Sequence, residues 1–189
     1  LETIEVSTQG TKNILELAKK KRVKSVVFFS SSEIYGDPHK DYVPTKETYK
    51  GNVSSMGPRA CYDESKRLGE TFCTLYHRLF NVPVKIIRPF NVYGPGMKPK
   101  DHRVLPRFLN CAINGQPLPI HGEGLQTRTY TYVSDATIGF LQVLLKGVPE
   151  GSEHSNHWHW GTKYAERVPD DRYGFKRGFL DSMTCSAEG

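Results

Sequence analysis

In the stretch GPRACYDESKR, residues 57–67, a tyrosine and a lysine stand four positions apart, as Tyr62 and Lys66. On a helix that spacing puts both side chains on one face, where the ammonium can approach the phenol. A phenol titrates near pH ~10, and a neighbouring cation favours its ionised form, drawing the pKa towards a working range. Such a pair is a general base with its tuner. Taken alone, it reads more readily as one turn of a surface helix.

The elements that would have to position this pair can be read from the apolar pattern. Residues 11–20 carry Ile14, Leu15, Leu17 and Ala18 at helical spacing and run into the basic stretch 19–22, which suits a helix C-terminus. Val26-Val27-Phe28-Phe29 is a short continuous apolar run, the pattern of a strand buried on both faces in a parallel sheet. Ser30, Ser31, Ser32 and Glu33 follow at its C-terminal end, the edge where open α/β sheets bind ligands. Residues 37–58, rich in Pro, Gly, Lys and Thr, read as an ordered loop or lid. A helix is expected over about 61–80 with Leu68, Phe72, Leu75 and Leu79 inward, then a buried strand at 84–87 with Arg88 and Asn91 at its end. Both strands therefore deliver polar residues to one edge.

Beyond Gly96 the composition changes. A helix over 104–113, short strands at 117–121 and 129–133, and a helix over about 135–146 form a smaller region that would cap that edge. The expected division is 1–96 for a partial cofactor-binding and catalytic unit, 97–150 for a substrate-binding region, and 151–189 for an atypical tail.

The chain has 189 residues, 37% hydrophobic and 24% charged, enough for a domain with its own core rather than a disordered segment. No stretch approaches the roughly 18 apolar residues of a membrane helix. Without such a stretch no membrane is expected, and Cys61, Cys73, Cys111 and Cys185, scattered without metal-ligand spacing, point to a reduced, cytoplasmic setting. The net charge of +6 is dispersed, so an anionic small ligand explains it better than nucleic acid does.

Five motifs in order, SSSEIYG at 30–36, YDESK at 62–66, RPFNVYGPG at 88–96, HRVLPRF at 102–108 and GEGLQTRTYTYVSD at 122–135, resemble the extended short-chain dehydrogenase/reductase family of nucleotide-sugar epimerases, dehydratases and decarboxylases. The resemblance implies an α/β, Rossmann-like parallel sheet with NAD as cofactor, a nucleotide-sugar substrate and, in full-length relatives, a homodimer formed through two long helices, with 61–80 as the candidate here. GPRACYDESKR followed by RPFNVYGPGM is most similar to the decarboxylase branch, which acts on UDP-glucuronate through a 4-keto intermediate. A 4,6-dehydratase, a 4-epimerase and a non-catalytic nucleotide-sugar-binding remnant are the alternatives.

By that resemblance Tyr62 is the base, Lys66 its tuner and a contact to the nicotinamide ribose, and Ser31 the hydroxyl that bonds the reacting oxygen. Ser32 and Glu33 match a pair suited to acid/base work at C5, or else form a strand-end turn with a capping serine. Arg59 meets the sugar carboxylate or forms a loop salt bridge. Asn91, Arg103 and Arg128 match positions that hold the nucleotide diphosphate, the arginines by their planar fork, with a surface charge as the other reading of Arg128. Arg88 is a packing or sheet-edge residue as readily as a ligand. The family's Gly-x-x-Gly-x-x-Gly loop, which binds the pyrophosphate, is not among these residues, so the N-terminal half of the Rossmann fold is expected to be missing.

The tail departs from the pattern. Where the family would continue Asn-Ile-Gly-Thr-Gly, the chain has His154-Ser155-Asn156-His157-Trp158-His159-Trp160-Gly161. A histidine cluster suggests metal, but reading His157 to Gly161 one nucleotide later spells Ile/Thr-Gly-Ile/Thr-Gly. The tail is therefore read as out-of-frame translation from about Asn156, with no selected function in 154–189 and no metal site.

Overall fold

The computed structural model describes residues 1–98, 101–120, 122, 124 and 128–147. The first half is a parallel strand pair with two long helices. Helix α1, Glu2–Lys21, has Glu2 and Glu5 in its first turn and Lys19, Lys20 and Lys21 in its last, complementing the helix dipole at both ends. It stops at Arg22, which takes the left-handed conformation, and strand β1, Val26–Phe29, follows. Helix α2, Ala60–Phe80, ends the same way at Asn81 and leads into strand β2, Val84–Ile87. Strands β1 and β2 pair in parallel with Val26 opposite Val84 and Phe29 opposite Ile87. Parallel pairing requires a crossover between the strands, and α2 supplies it.

Leu15 and Ala18 of α1 meet Cys73 and Tyr76 of α2 over Val82, Val84 and Ile86, and these residues form the core. The Tyr76 hydroxyl donates to Glu16 Oε1 at 2.5 Å, tying the two helices together. The inward face of α2 differs from the expected leucine stripe. Ser65, Gly69, Cys73 and Tyr76 are buried and Phe72 is partly so, whereas Leu68, Leu75 and Leu79 are 42%, 44% and 67% exposed. The reason is close packing: a Cβ at Gly69 would collide with the ring of Phe28, so small residues mark the side that lies on the sheet.

The second region contains strand β3, Asn91–Tyr93, helix α3, Val104–Ile113, strand β4, Tyr130–Tyr132, and helix α4, Val133–Lys146. Strands β3 and β4 form a second parallel pair, Asn91 opposite Tyr130. The pattern marked β4 and both helices but not β3, and 117–120 form no strand. Helix α4 packs on both strand pairs. Phe140 meets Phe29 edge-on at 5.0 Å, and Lys85, buried in β2, donates to the Leu144 carbonyl at 2.7 Å near the end of α4.

Arg88, just past β2, proves to be a structural residue. Its guanidinium donates to both oxygens of Glu70, at 2.9 and 2.7 Å, and to the Tyr35 hydroxyl and the Glu47 carbonyl at 2.8 and 3.0 Å. Burial works against its charge, and Glu70 with Tyr35 more than offsets that, so Arg88 lies above its usual value. The lock joins α2, the turn after β1 and the 37–58 segment. That segment is further held by Arg67, whose Nη1 donates to Ile34 and Lys50 carbonyls at 3.0 and 2.9 Å.

Candidate active site

At the C-terminal edge of the first strand pair the chain leaves β1, turns through a 3₁₀ segment at Ser32–Tyr35, and later re-enters at the start of α2. Ser31 is extended and buried; its Oγ accepts from the Glu33 amide at 3.2 Å, so it caps the turn while its hydroxyl proton remains available to donate. The Ser32 amide donates to the Pro89 carbonyl at 3.0 Å, fixing the turn to the end of β2. The neighbouring Ser30 Oγ is buried without a hydrogen-bond partner.

Tyr62 and Lys66 both project from the first turns of α2. The Lys66 ammonium donates to the Phe29 carbonyl at 2.7 Å and stands 5.7 Å from the centre of the Tyr62 ring. Burial pulls the ammonium below its usual value. Arg59, immediately before α2, lies 5.8 Å from the same ring on its way to Glu33, whose carboxylate is 3.6 Å from Nη2. Thus Ser31, Ser32, Glu33, Arg59, Tyr62 and Lys66 come together at one sheet edge, and Arg59 forms the salt bridge that was one of its two readings.

The three residues expected to hold a diphosphate lie in the second region. Asn91 begins β3 and its amide nitrogen donates to the Thr129 carbonyl at 3.0 Å, joining β3 to the segment before β4. Arg103 precedes α3 and is bound through Nε and Nη2 to Asp101, whose carboxyl it holds down at about 2. Arg128 is exposed, two residues before β4. The histidine cluster at 154–161 lies outside the described residues.

Asp63 was missed. It follows Tyr62 directly, its Oδ1 is buried without a hydrogen-bond partner, and its carboxyl is pushed up, first by burial and then by Glu33. The only signal in sequence was its place four residues after Arg59.

A parallel α/β unit whose strand ends gather a serine, a carboxylate and a Tyr-x-x-x-Lys pair defines a dehydrogenase-like, nucleotide-handling class of protein. The chain belongs to the NAD dependent epimerase/dehydratase family, which matches residues 1–156. It is 41% identical over 148 residues to UDP-glucuronic acid decarboxylase 1 of Xenopus tropicalis, covering 78% of this chain and 34% of that protein. It is 44% identical over 144 residues to UDP-glucuronic acid decarboxylase 1 of Arabidopsis thaliana, covering 76% and 32%. The chain therefore spans about a third of the length of these curated relatives.

Among solved structures it resembles UDP-glucose 4-epimerase of Thermotoga maritima in complex with UDP-glucose, with TM-score 0.69, 27% identity, and 76% of this chain and 45% of that one covered. It also resembles dTDP-glucose 4,6-dehydratase of Bacillus anthracis in complex with NAD, with TM-score 0.67, 29% identity, and 77% and 44% covered. The Rossmann-like reading of the fold follows. Among the described residues no helix is long and apolar enough to cross a membrane.

Proposed function

We propose that this chain carries the base-bearing edge of an NAD-dependent nucleotide-sugar enzyme, and that the reaction is decarboxylation of UDP-glucuronate to UDP-xylose through a 4-keto sugar. The observation that supports it is the placing of Tyr62 between Lys66 and Arg59 with Glu33 alongside, in a chain 41–44% identical to UDP-glucuronic acid decarboxylases. Tyr62 removes the proton of the sugar 4-hydroxyl with the Lys66 ammonium beside it, and the Ser31 hydroxyl donates to the same oxygen. Arg59 receives the C5 carboxylate, which becomes β to a ketone and leaves as carbon dioxide. Glu33 and Ser32 stand at the carbon that must then regain a proton. Asn91, Arg103 and Arg128 hold the diphosphate.

The donors present fit the nicotinamide end of NAD. The Lys66 ammonium uses one of its three N–H bonds on Phe29, which leaves two for ribose hydroxyls beside Tyr62. Bound there, NAD would accept the hydride from C4 and, once reduced, would supply the hydride that restores the 4-hydroxyl after carbon dioxide has left. These residues contain no Gly-x-x-Gly-x-x-Gly segment for the pyrophosphate. On the same reading the protein pairs with a second copy through α2, whose outer face exposes Leu68, Leu75 and Leu79.

The test is product analysis with NAD and either UDP-glucuronate or dTDP-glucose. Carbon dioxide and UDP-xylose from the first support the proposal. Loss of water from the second would make the protein a dehydratase, and UDP binding with no turnover of either would make it a nucleotide-sugar-binding protein.

A further inference from the structure

Asp63 is a charged group at this edge to which the proposed reaction gives no work. It lies in the first turn of α2, its amide donating to the Arg59 carbonyl at 3.1 Å. Arg59 is the N-cap residue of the same helix, and its charge bears on Asp63. Its Oδ1 is buried and unpartnered among the described residues. A carboxylate oxygen in that position is costly as an ion and far less so as a neutral acid.

The charges around it divide unevenly. Glu33 from the turn after β1 and Glu64 from α2 favour the protonated form, as burial does, and Arg59 is the cation that opposes them. One guanidinium therefore serves two carboxylates, and it is weakly committed. Its contact with Glu33 is 3.6 Å long and its side chain is 63% exposed, the kind of pair that contributes little stability and exchanges partners at small cost.

A carboxylate arriving at Arg59 changes this balance in two ways. It offsets the cation that favours the ionised form of Asp63, and it adds a negative charge to a site that already has Glu33 and Glu64. Both effects favour a proton on Asp63. We propose that binding of a carboxylate-bearing sugar at Arg59 draws a proton from solvent onto Asp63, so that the site loads an acid as it takes up its anionic ligand. The inference rests on the functional reading above, in which Arg59 receives the uronate group. One O–H bond forms on Asp63 at the expense of a buffer acid, and nothing is oxidised or reduced. Asp63 is a positioning residue here: it holds a proton beside Glu33, at the edge where loss of carbon dioxide leaves a carbon in need of one.

Calorimetry of ligand binding in two buffers of different ionisation enthalpy measures the proton count directly. UDP-glucuronate is expected to bind with proton uptake that falls as pH rises, UDP-glucose without it, and Asp63→Asn to abolish the uptake while leaving binding of both sugars. Equal proton counts for the two sugars would overturn the inference and leave the functional reading intact. If neither sugar binds, the functional reading fails, and the coupling is decided in the ligand-free protein by carboxyl-carbon NMR titration. There Arg59→Gln is expected to move the Asp63 titration to higher pH and Glu33→Gln to lower pH; an Asp63 signal that stays put in both variants would overturn it.

Discussion

Phe29 of β1 and Ile87 of β2 face each other across the parallel register, yet Ile87 is 0% exposed and Phe29 is 46% exposed. The run that lies less covered, VVFF, is the wholly apolar one, while VKII carries Lys85, and each strand pairs only with the other among the described residues. What separates them is covering. β2 is enclosed by α2 and α4 and pinned at its flanks by Lys85 to Leu144 and by the Arg88 lock. β1 borders a groove of about 280 Å³, lined by Gly10, Thr11, Ile14 and its own four residues. Burial of a strand thus comes from its neighbours, and a buried-type sequence states only what neighbours the strand can accept.

The comparison is broken most severely at the lock beside β2. Glu70→Ala leaves Arg88 buried without its carboxylate and is expected to cost about 4 kcal/mol in urea unfolding. Next, Ile87→Ala opens a cavity on the enclosed strand and is expected to cost about 3 kcal/mol by the same measurement. A stability loss below about 1 kcal/mol for Ile87→Ala would show that the two strands are equally loose.

High pH attacks the same lock by another route. Burial, against the pull of Arg88, pushes Tyr35 from its usual 10.0 up to about 12. A raised folded-state value means that the stability contributed by neutral Tyr35 is fully present below pH 10.0 and is lost as pH climbs towards about 12. Thermal melts across that window are expected to fall more steeply in the parent than in Tyr35→Phe. On the exposed strand, Phe29→Ala gives up mainly the edge-on contact with Phe140 and is expected to cost about 1 kcal/mol. Smallest in energy but sharpest in contrast, the Val27 and Phe29 amides, which alternate with the bonded Val26 and Ser30 amides, are expected to exchange with deuterium faster than those two.

Much of this was legible in the residues. Helix α3 and both strands of the first pair fell where the apolar runs put them, and the edge cluster followed from strand ends meeting a helix start. The leucines of α2 were misread because a helix that lies tightly on a sheet turns its small side chains inward; Ser65, Gly69 and Cys73 at four-residue steps were the better signal. Strand β3 was missed because its three residues lie between Pro89 and the Gly94-Pro95-Gly96 turn, a setting that reads as loop. Arg88 was undecidable because its partners, Glu70, Tyr35 and Glu47, are 18 to 53 positions away. The chemistry of Asp63 was invisible because an unpartnered oxygen is a property of packing.

The Lys66 ammonium is moored to a main-chain oxygen of the less enclosed strand. An anchor made of side chains can be edited by substitution; this one cannot, since every residue at position 29 brings the same carbonyl. What governs the distance between that positive charge and the Tyr62 phenol is therefore where β1 sits. The strand thus sets where the positive charge stands against the helix that also carries Tyr62.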